Sequence, residues 1–133
     1  MVCPFVIIIT DHDMWWLEGI FNYRHKQADT KANIETFIKL TMEDIANNKV
    51  LGAYVHTLNR IPLLFVHAGF SPAFLAYLKK NKLSDANPYQ LANYTNNELK
   101  KTLAACRAYP CKLDGELFEA GPDRGGKGIG GPL

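Results

Sequence analysis

The chain has 133 residues, which suits one domain at most. Its hydrophobic content of 47% excludes an intrinsically disordered chain. A net charge of +2 is too small to imply nucleic acid or an anionic membrane as a partner.

The first element is a β-branched apolar run, Phe5-Val6-Ile7-Ile8-Ile9. It is too short to span a bilayer and has no basic flank, so it reads as a strand rather than a signal peptide. A cytoplasmic location is the matching expectation. The run ends in Thr10-Asp11-His12-Asp13, a sudden cluster of side chains able to bind metal or move protons. Trp15, Trp16, Ile20 and Phe21 then suggest a short helix whose aromatic residues pack. Asn22 to Ala28 is polar and reads as a loop, with His25 on it.

Asp29 or Thr30 caps a long helix. Ile34, Phe37, Ile38, Met42 and Ile45 recur at three- and four-residue steps and make one apolar stripe. Lys31, Glu35, Lys39 and Glu43 lie off it as a solvated face. Asn47 and Asn48 end the helix. Val50 to His56 predicts the next strand, with His56 at its surface, and Leu58-Asn59-Arg60 is the following turn.

The run Leu63-Leu64-Phe65-Val66 is short, unbroken and bounded, which predicts a strand buried on both faces. It leads into His67-Ala68-Gly69-Phe70-Ser71-Pro72. Ser71 caps a helix, with Pro72 at the first position, where a missing N–H costs nothing. His67 thus falls at the C-terminal end of a strand, before a strand-to-helix turn, where α/β folds bind ligands. Gly69 lets the backbone turn tightly there. A lone histidine at the end of a core strand is more often structural than a ligand. The cluster at Asp11–Asp13, also at a strand end, shifts that balance.

Phe74, Leu75 and Leu78 give the helix after Pro72 its buried side, and Lys79, Lys80 and Lys82 suit its C-terminal dipole. Asn87-Pro88 starts another short helix. Thr95-Asn96-Asn97-Glu98 reads as a capping box that opens a further one, with Leu99, Leu103 and Cys106 inward and Tyr109-Pro110 as its stop. Cys3, Cys106 and Cys111 are an odd set without zinc-type spacing, which points to a reducing compartment rather than a disulfide framework. Residues 121–133 read as a glycine-rich mobile tail. Gly121 to Lys127 matches the first seven positions of a phosphate-binding P-loop. Gly128 stands where Ser or Thr must hold magnesium, and no apolar strand precedes, so that match is set aside.

The two strand-end blocks together resemble the calcineurin-like metallophosphoesterases, in the branch that includes the phosphoprotein phosphatases. There one strand ends in Gly-Asn-His-Glu or Gly-Asn-His-Asp, and a later one in Val-His-Ala-Gly or His-Gly-Gly, often followed by Leu-Ser-Pro. Thr10-Asp11-His12-Asp13 is similar to the first block and Val66-His67-Ala68-Gly69-Phe70-Ser71-Pro72 to the second. Met14 to Gly19 looks like the helix after the first block, and Gly131-Pro132-Leu133 like the start of a segment that follows a glycine-rich loop. The resemblance runs from about Phe5 to the end of the chain.

The resemblance implies an α/β fold: a partial mixed sheet flanked by helices, the middle portion of a layered sandwich, spanning residues 1–133. It implies hydrolysis of a phosphorylated substrate, either a small phosphomonoester or a phosphoserine or phosphothreonine protein. Two divalent metals (Mn, Fe, Zn or Mg) would clamp the phosphate and acidify a bridging water. By this resemblance Asp11 takes the place of a metal-ligating asparagine, His12 of the general acid, and His67 of a ligand to the same metal. Arg124 is a candidate for the substrate phosphate, because a fork of donors suits that oxyanion. Its plainer reading is a solvated loop arginine.

The departures are also informative. Asp11 is a carboxylate where the pattern has an amide, and Thr10 stands for a glycine. Neither Gly-Asp-x-His-Gly nor Gly-Asp-x-x-Asp-Arg-Gly occurs in the 133 residues. The expectation is a chain inactive or nearly so by itself, with an unpaired sheet edge that invites aggregation or pairing with another chain. The alternative is a non-catalytic binding or structural module built on the same fold.

Overall fold

A computed structural model describes residues 6–10, 31–83, 85, 87–106 and 110–133. The helix expected after Asp13, the loop after it and the Asp29 or Thr30 cap lie outside the described residues. The class is α/β, with three helices and two small sheets among the described residues.

Strand β1, Ile7–Ile8, falls within the first apolar run and pairs in parallel with β2, Val50–Leu51. Parallel strands need a crossover, and α1, Lys31–Ala46, lies on it. Ile38 and Ile45 of α1 are buried and Met42 packs on the same core, while Phe37 stays 36% exposed. Ile34 is outside the described side chains. Glu35, Lys39 and Glu43 are exposed, as the pattern predicts. Asn48 takes a φ of 60°. Its N–H reaches the Ile45 carbonyl at 3.1 Å, and that of Lys49 reaches Asp44 at 2.8 Å, so a left-handed residue closes the helix where the two asparagines predict.

The strand expected over Val50–His56 is divided at Gly52. β2 stops at Leu51, and β3 runs over Ala53–Leu58. β3 pairs antiparallel with β4, Ile61–Val66. Asn59 and Arg60 have φ of 50° and 66°, the two positive values of a tight hairpin turn whose twist matches its strands.

β4 is not buried on both faces. Ile61, Leu63 and Phe65 are 61%, 38% and 48% exposed, alternating with half-buried neighbours. The reason is the partner. An unbroken apolar run suits a parallel strand between two helical layers, but β4 belongs to a two-stranded antiparallel sheet, which needs only one packed face. Helix α3, Pro88–Ala104, packs on the hairpin and also meets α1.

Helix α2, Pro72–Asn81, starts as its sequence predicts: the Ser71 Oγ accepts from the Phe74 N–H at 3.0 Å, and Phe74 and Leu78 are fully buried. Helix α3 corrects the sequence reading. Its capping box is Asn87 with Gln90: Asn87 Oδ1 accepts from Gln90 N at 2.9 Å, and Gln90 Oε1 accepts from Asn87 N at 3.2 Å. Thr95–Glu98 lies inside one continuous helix. Thr95 is tolerated there because its hydroxyl donates to the Leu91 carbonyl at 2.8 Å, and Asn96 spends its side chain on the hairpin.

Cys106 and Cys111 correct a second expectation. They form a disulfide, with Cα atoms 5.4 Å apart. Among the described residues no helix is long and apolar enough to cross a membrane.

Candidate functional site

Two strand ends converge on Gly52. β1 leaves the sheet through Ile9, whose N–H donates to the Leu51 carbonyl at 2.9 Å. β4 ends at Val66, which pairs with Ala53. Leu51 and Ala53 are the two neighbours of Gly52, so the C-terminal ends of β1 and β4 lie at the same level of the chain, on either side of the break between β2 and β3. Thr10 follows the first end and His67 follows the second. Gly52 itself must be small: a Cβ there would stand 3.0 Å from Thr95 Cγ2 and 3.4 Å from Leu99 Cδ2 and Leu133 Cδ1.

His67 is exposed, one residue beyond β4. Asp11 and His12, the other two residues singled out at these strand ends, lie outside the described residues. Gly69 has a φ of 76° with open space around it, the left-handed turn its sequence position predicts. This β4–α2 turn is braced from the far end of the chain. The Ala68 N–H donates to the Pro132 carbonyl at 3.2 Å. The Ser71 hydroxyl shares its proton between the carbonyls of Ile129 at 2.9 Å and Gly130 at 3.1 Å while it caps α2.

The glycine-rich stretch read as a tail supplies that brace. Residues 128–133 run beside residues 117–120, with N–H donors of Gly128, Gly131 and Leu133 on the carbonyls of Ala120, Glu119 and Leu117 at 2.9, 2.8 and 3.0 Å. Leu133 is buried beside Leu117 in the core cluster. The Arg124 Nη2 donates to the Gly131 carbonyl, within the same glycine-rich stretch. Pro122–Arg124 is a single 3-10 turn followed by left-handed Gly125, not the strand–loop–helix of a phosphate loop.

A second tie joins α2 to the same region. The Tyr77 hydroxyl donates to Glu116 Oε1. That bond raises the tyrosine pKa and holds the Glu116 carboxyl below its ordinary value. Burial, with Glu98 nearby, pushes Tyr94 up to about 12.

A dimetal centre needs several oxygen and nitrogen donors. Among the described residues no group of three or more His, Cys, Asp or Glu is placed to hold a metal ion. Of the residues singled out as metal ligands, His67 is the one within the described residues, and a single imidazole does not make such a centre.

The sequence reading missed the Asn96 clamp and the disulfide. Asn96 carried a signal, an amide in the middle of a helix where it has poor propensity, but it was absorbed into an apparent capping box. The cysteine pair carried another, two thiols five residues apart with Pro110 between them. Comparison with family models, with curated proteins and with solved structures finds no match.

Proposed function

We propose that the chain is part of a metal-dependent phosphoesterase domain of the calcineurin-like kind, acting on a phosphorylated small molecule or protein. The observation that supports this reading is the common level of the β1 and β4 ends beside Gly52. Each end leads into one of the two sequence blocks that carry the resemblance. In this reading Asp11 and His67 bind a divalent ion (Mn, Fe, Zn or Mg), His12 is the general acid, and Arg124 contacts the phosphate after leaving the Gly131 carbonyl. A bound metal pair would supply Lewis acidity and an acidified water. The chain's own task is then to present neutral imidazoles and a carboxylate beyond the two strand ends. Because the 133 residues carry only part of the ligand set, the chain by itself is inactive or nearly so.

The test is calorimetric titration with Mn2+ together with hydrolysis of p-nitrophenyl phosphate. The reading expects weak binding of the ion, lost in both His67→Ala and Asp11→Ala, and no turnover above background. Binding unchanged in both variants would remove these residues from any metal site.

The second reading, a non-catalytic binding or structural module, is favoured by Thr10 and Asp11, which stand where the pattern has glycine and asparagine. It expects no divalent ion at either residue. A cytoplasmic location belongs with these proposals, and there the Cys106–Cys111 bond would face a reducing thiol pool.

A further inference from the structure

We propose that the Cys106–Cys111 disulfide is a thiol-reversible latch that sets how firmly residues 111–133 brace the β4–α2 turn. The proposal does not depend on the phosphoesterase reading, because it concerns the turn itself.

Cys106 is fixed to the end of α3: its N–H donates to the Leu103 carbonyl at 3.1 Å. Cys111 is 4% exposed and belongs to the core cluster. The bond therefore ties a helix end to the beginning of a segment that has little secondary structure of its own. Among the described residues from 111 onward there is one 3-10 turn and no helix or strand. That segment stays in place through buried Leu113, Leu117 and Leu133 and through the backbone pairing of 117–120 with 128–133. Its far end provides the Pro132 carbonyl to Ala68 and those of Ile129 and Gly130 to Ser71. The restraint acts at one end of the segment and the braced turn lies at the other, with a shared hydrophobic cluster between them.

The two cysteine residues differ in exposure. Cys106 is half-buried and Cys111 is buried, so an external dithiol meets Cys106 first. One thiolate of the dithiol attacks Cys106 Sγ, and Cys111 leaves as a thiolate and takes up a proton. The second thiol of the dithiol then displaces Cys106, which is protonated in turn. The dithiol ends as a disulfide, and the protein gains two electrons and two protons. Opening the bond removes the tie between the end of α3 and Cys111 and raises the population in which the segment from 111 onward is detached. For a bond between cysteines 5 residues apart the chain-entropy effect corresponds to roughly tenfold or more.

The experiment is residue-resolved amide hydrogen exchange on the full chain in three forms: oxidised, reduced with a dithiol, and Cys106→Ser/Cys111→Ser. The latch predicts that the amides of Ala68, Gly131 and Leu133 exchange about tenfold faster or more in the reduced form and in the double variant. The Leu91 amide, bonded to Asn87 at the start of α3, keeps its rate. Reoxidation restores the slow rates. Three results overturn the proposal: a disulfide that the dithiol does not open, no change at Ala68, or an equal acceleration at Leu91, which would mean a loss of global stability.

Discussion

Asn96 and Ala53 are joined by two hydrogen bonds that run in opposite directions. The Asn96 Oδ1 accepts from the Ala53 N–H at 3.0 Å, and its Nδ2 donates to the Ala53 carbonyl at 2.8 Å. The same Oδ1 accepts from the Gly52 N–H at 2.8 Å. One side chain of α3 thus satisfies the three backbone groups at the break between β2 and β3. Ala53 is fully buried, so water cannot replace the carboxamide. Asn96→Ala should cost about 3 kcal/mol, near 1 kcal/mol for each stranded group. A urea unfolding curve measures this, and a loss well under 1 kcal/mol would refute the clamp.

This clamp also marks where sequence reading stops. Local signals were legible: Ser71 and Pro72 at the start of α2, Asn47–Asn48 at the end of α1, the Ile38–Ile45 spacing, and the turn at Asn59–Arg60. Each depends on residues within a few positions of one another. What was missed depends on partners far along the chain. Thr95–Glu98 fits a capping box until Asn96 is seen to bond residues more than forty positions away. The Leu63–Val66 run carries the composition of a doubly buried strand, and only its antiparallel pairing with β3 exposes one face. Gly128–Leu133 offers no apolar period at all, yet Gly131 sits where a Cβ would fall on the carbonyl oxygens of Glu116 and Leu117. Of the candidate site, the two strand ends were readable as apolar runs that stop at histidines. Their common level beside Gly52 was not readable, because it depends on the register of two different sheets.

The Ser71 hydroxyl serves α2 and the brace together, so its removal has two effects. Loss of the cap costs about 1 kcal/mol. Loss of the bonds to Ile129 and Gly130 adds a comparable amount. Ser71→Ala should therefore lose about 2 kcal/mol, and Ser71→Thr, which keeps the hydroxyl, should lose less. Thermal unfolding of the two variants separates the cases. Equal losses would mean that the hydroxyl is not what holds the brace.

The tyrosines predict an alkaline limit. Tyr94 titrates near 12 in the folded chain against about 10 when unfolded. Between these values the folded state keeps a proton that the unfolded state has released, so stability falls as pH rises from 10 to 12. Tyr77 is raised too and acts in the same direction. Glu116 is lowered, so its contribution is present above the ordinary glutamate range and is lost as pH falls through its folded pKa. Denaturant midpoints between pH 9 and 12 should drop in the native chain and drop less steeply in Tyr94→Phe. A parallel fall in both would exclude Tyr94 as the cause.

The open face of the hairpin carries Leu58, Ile61, Leu63 and Phe65, which are 54%, 61%, 38% and 48% exposed. Its cross-strand pairs are Leu58 with Ile61, His56 with Leu63, and Tyr54 with Phe65, with no Asp, Glu, Lys or Arg among them. Neither outer edge of this sheet has a strand partner among the described residues. A largely apolar face beside open edges favours association between copies of the chain. Sedimentation velocity should show concentration-dependent self-association. Phe65→Lys and Leu63→Lys place a charge on the exposed face without touching the core. Each should raise the dissociation constant about tenfold, since half of a large apolar side chain contributes on the order of 1 kcal/mol on burial and a buried charge adds to the penalty. Circular dichroism on the same samples shows whether the fold is kept. Association that persists unchanged in both folded variants would mean that copies meet elsewhere, and the hairpin face would then be an ordinary solvated surface.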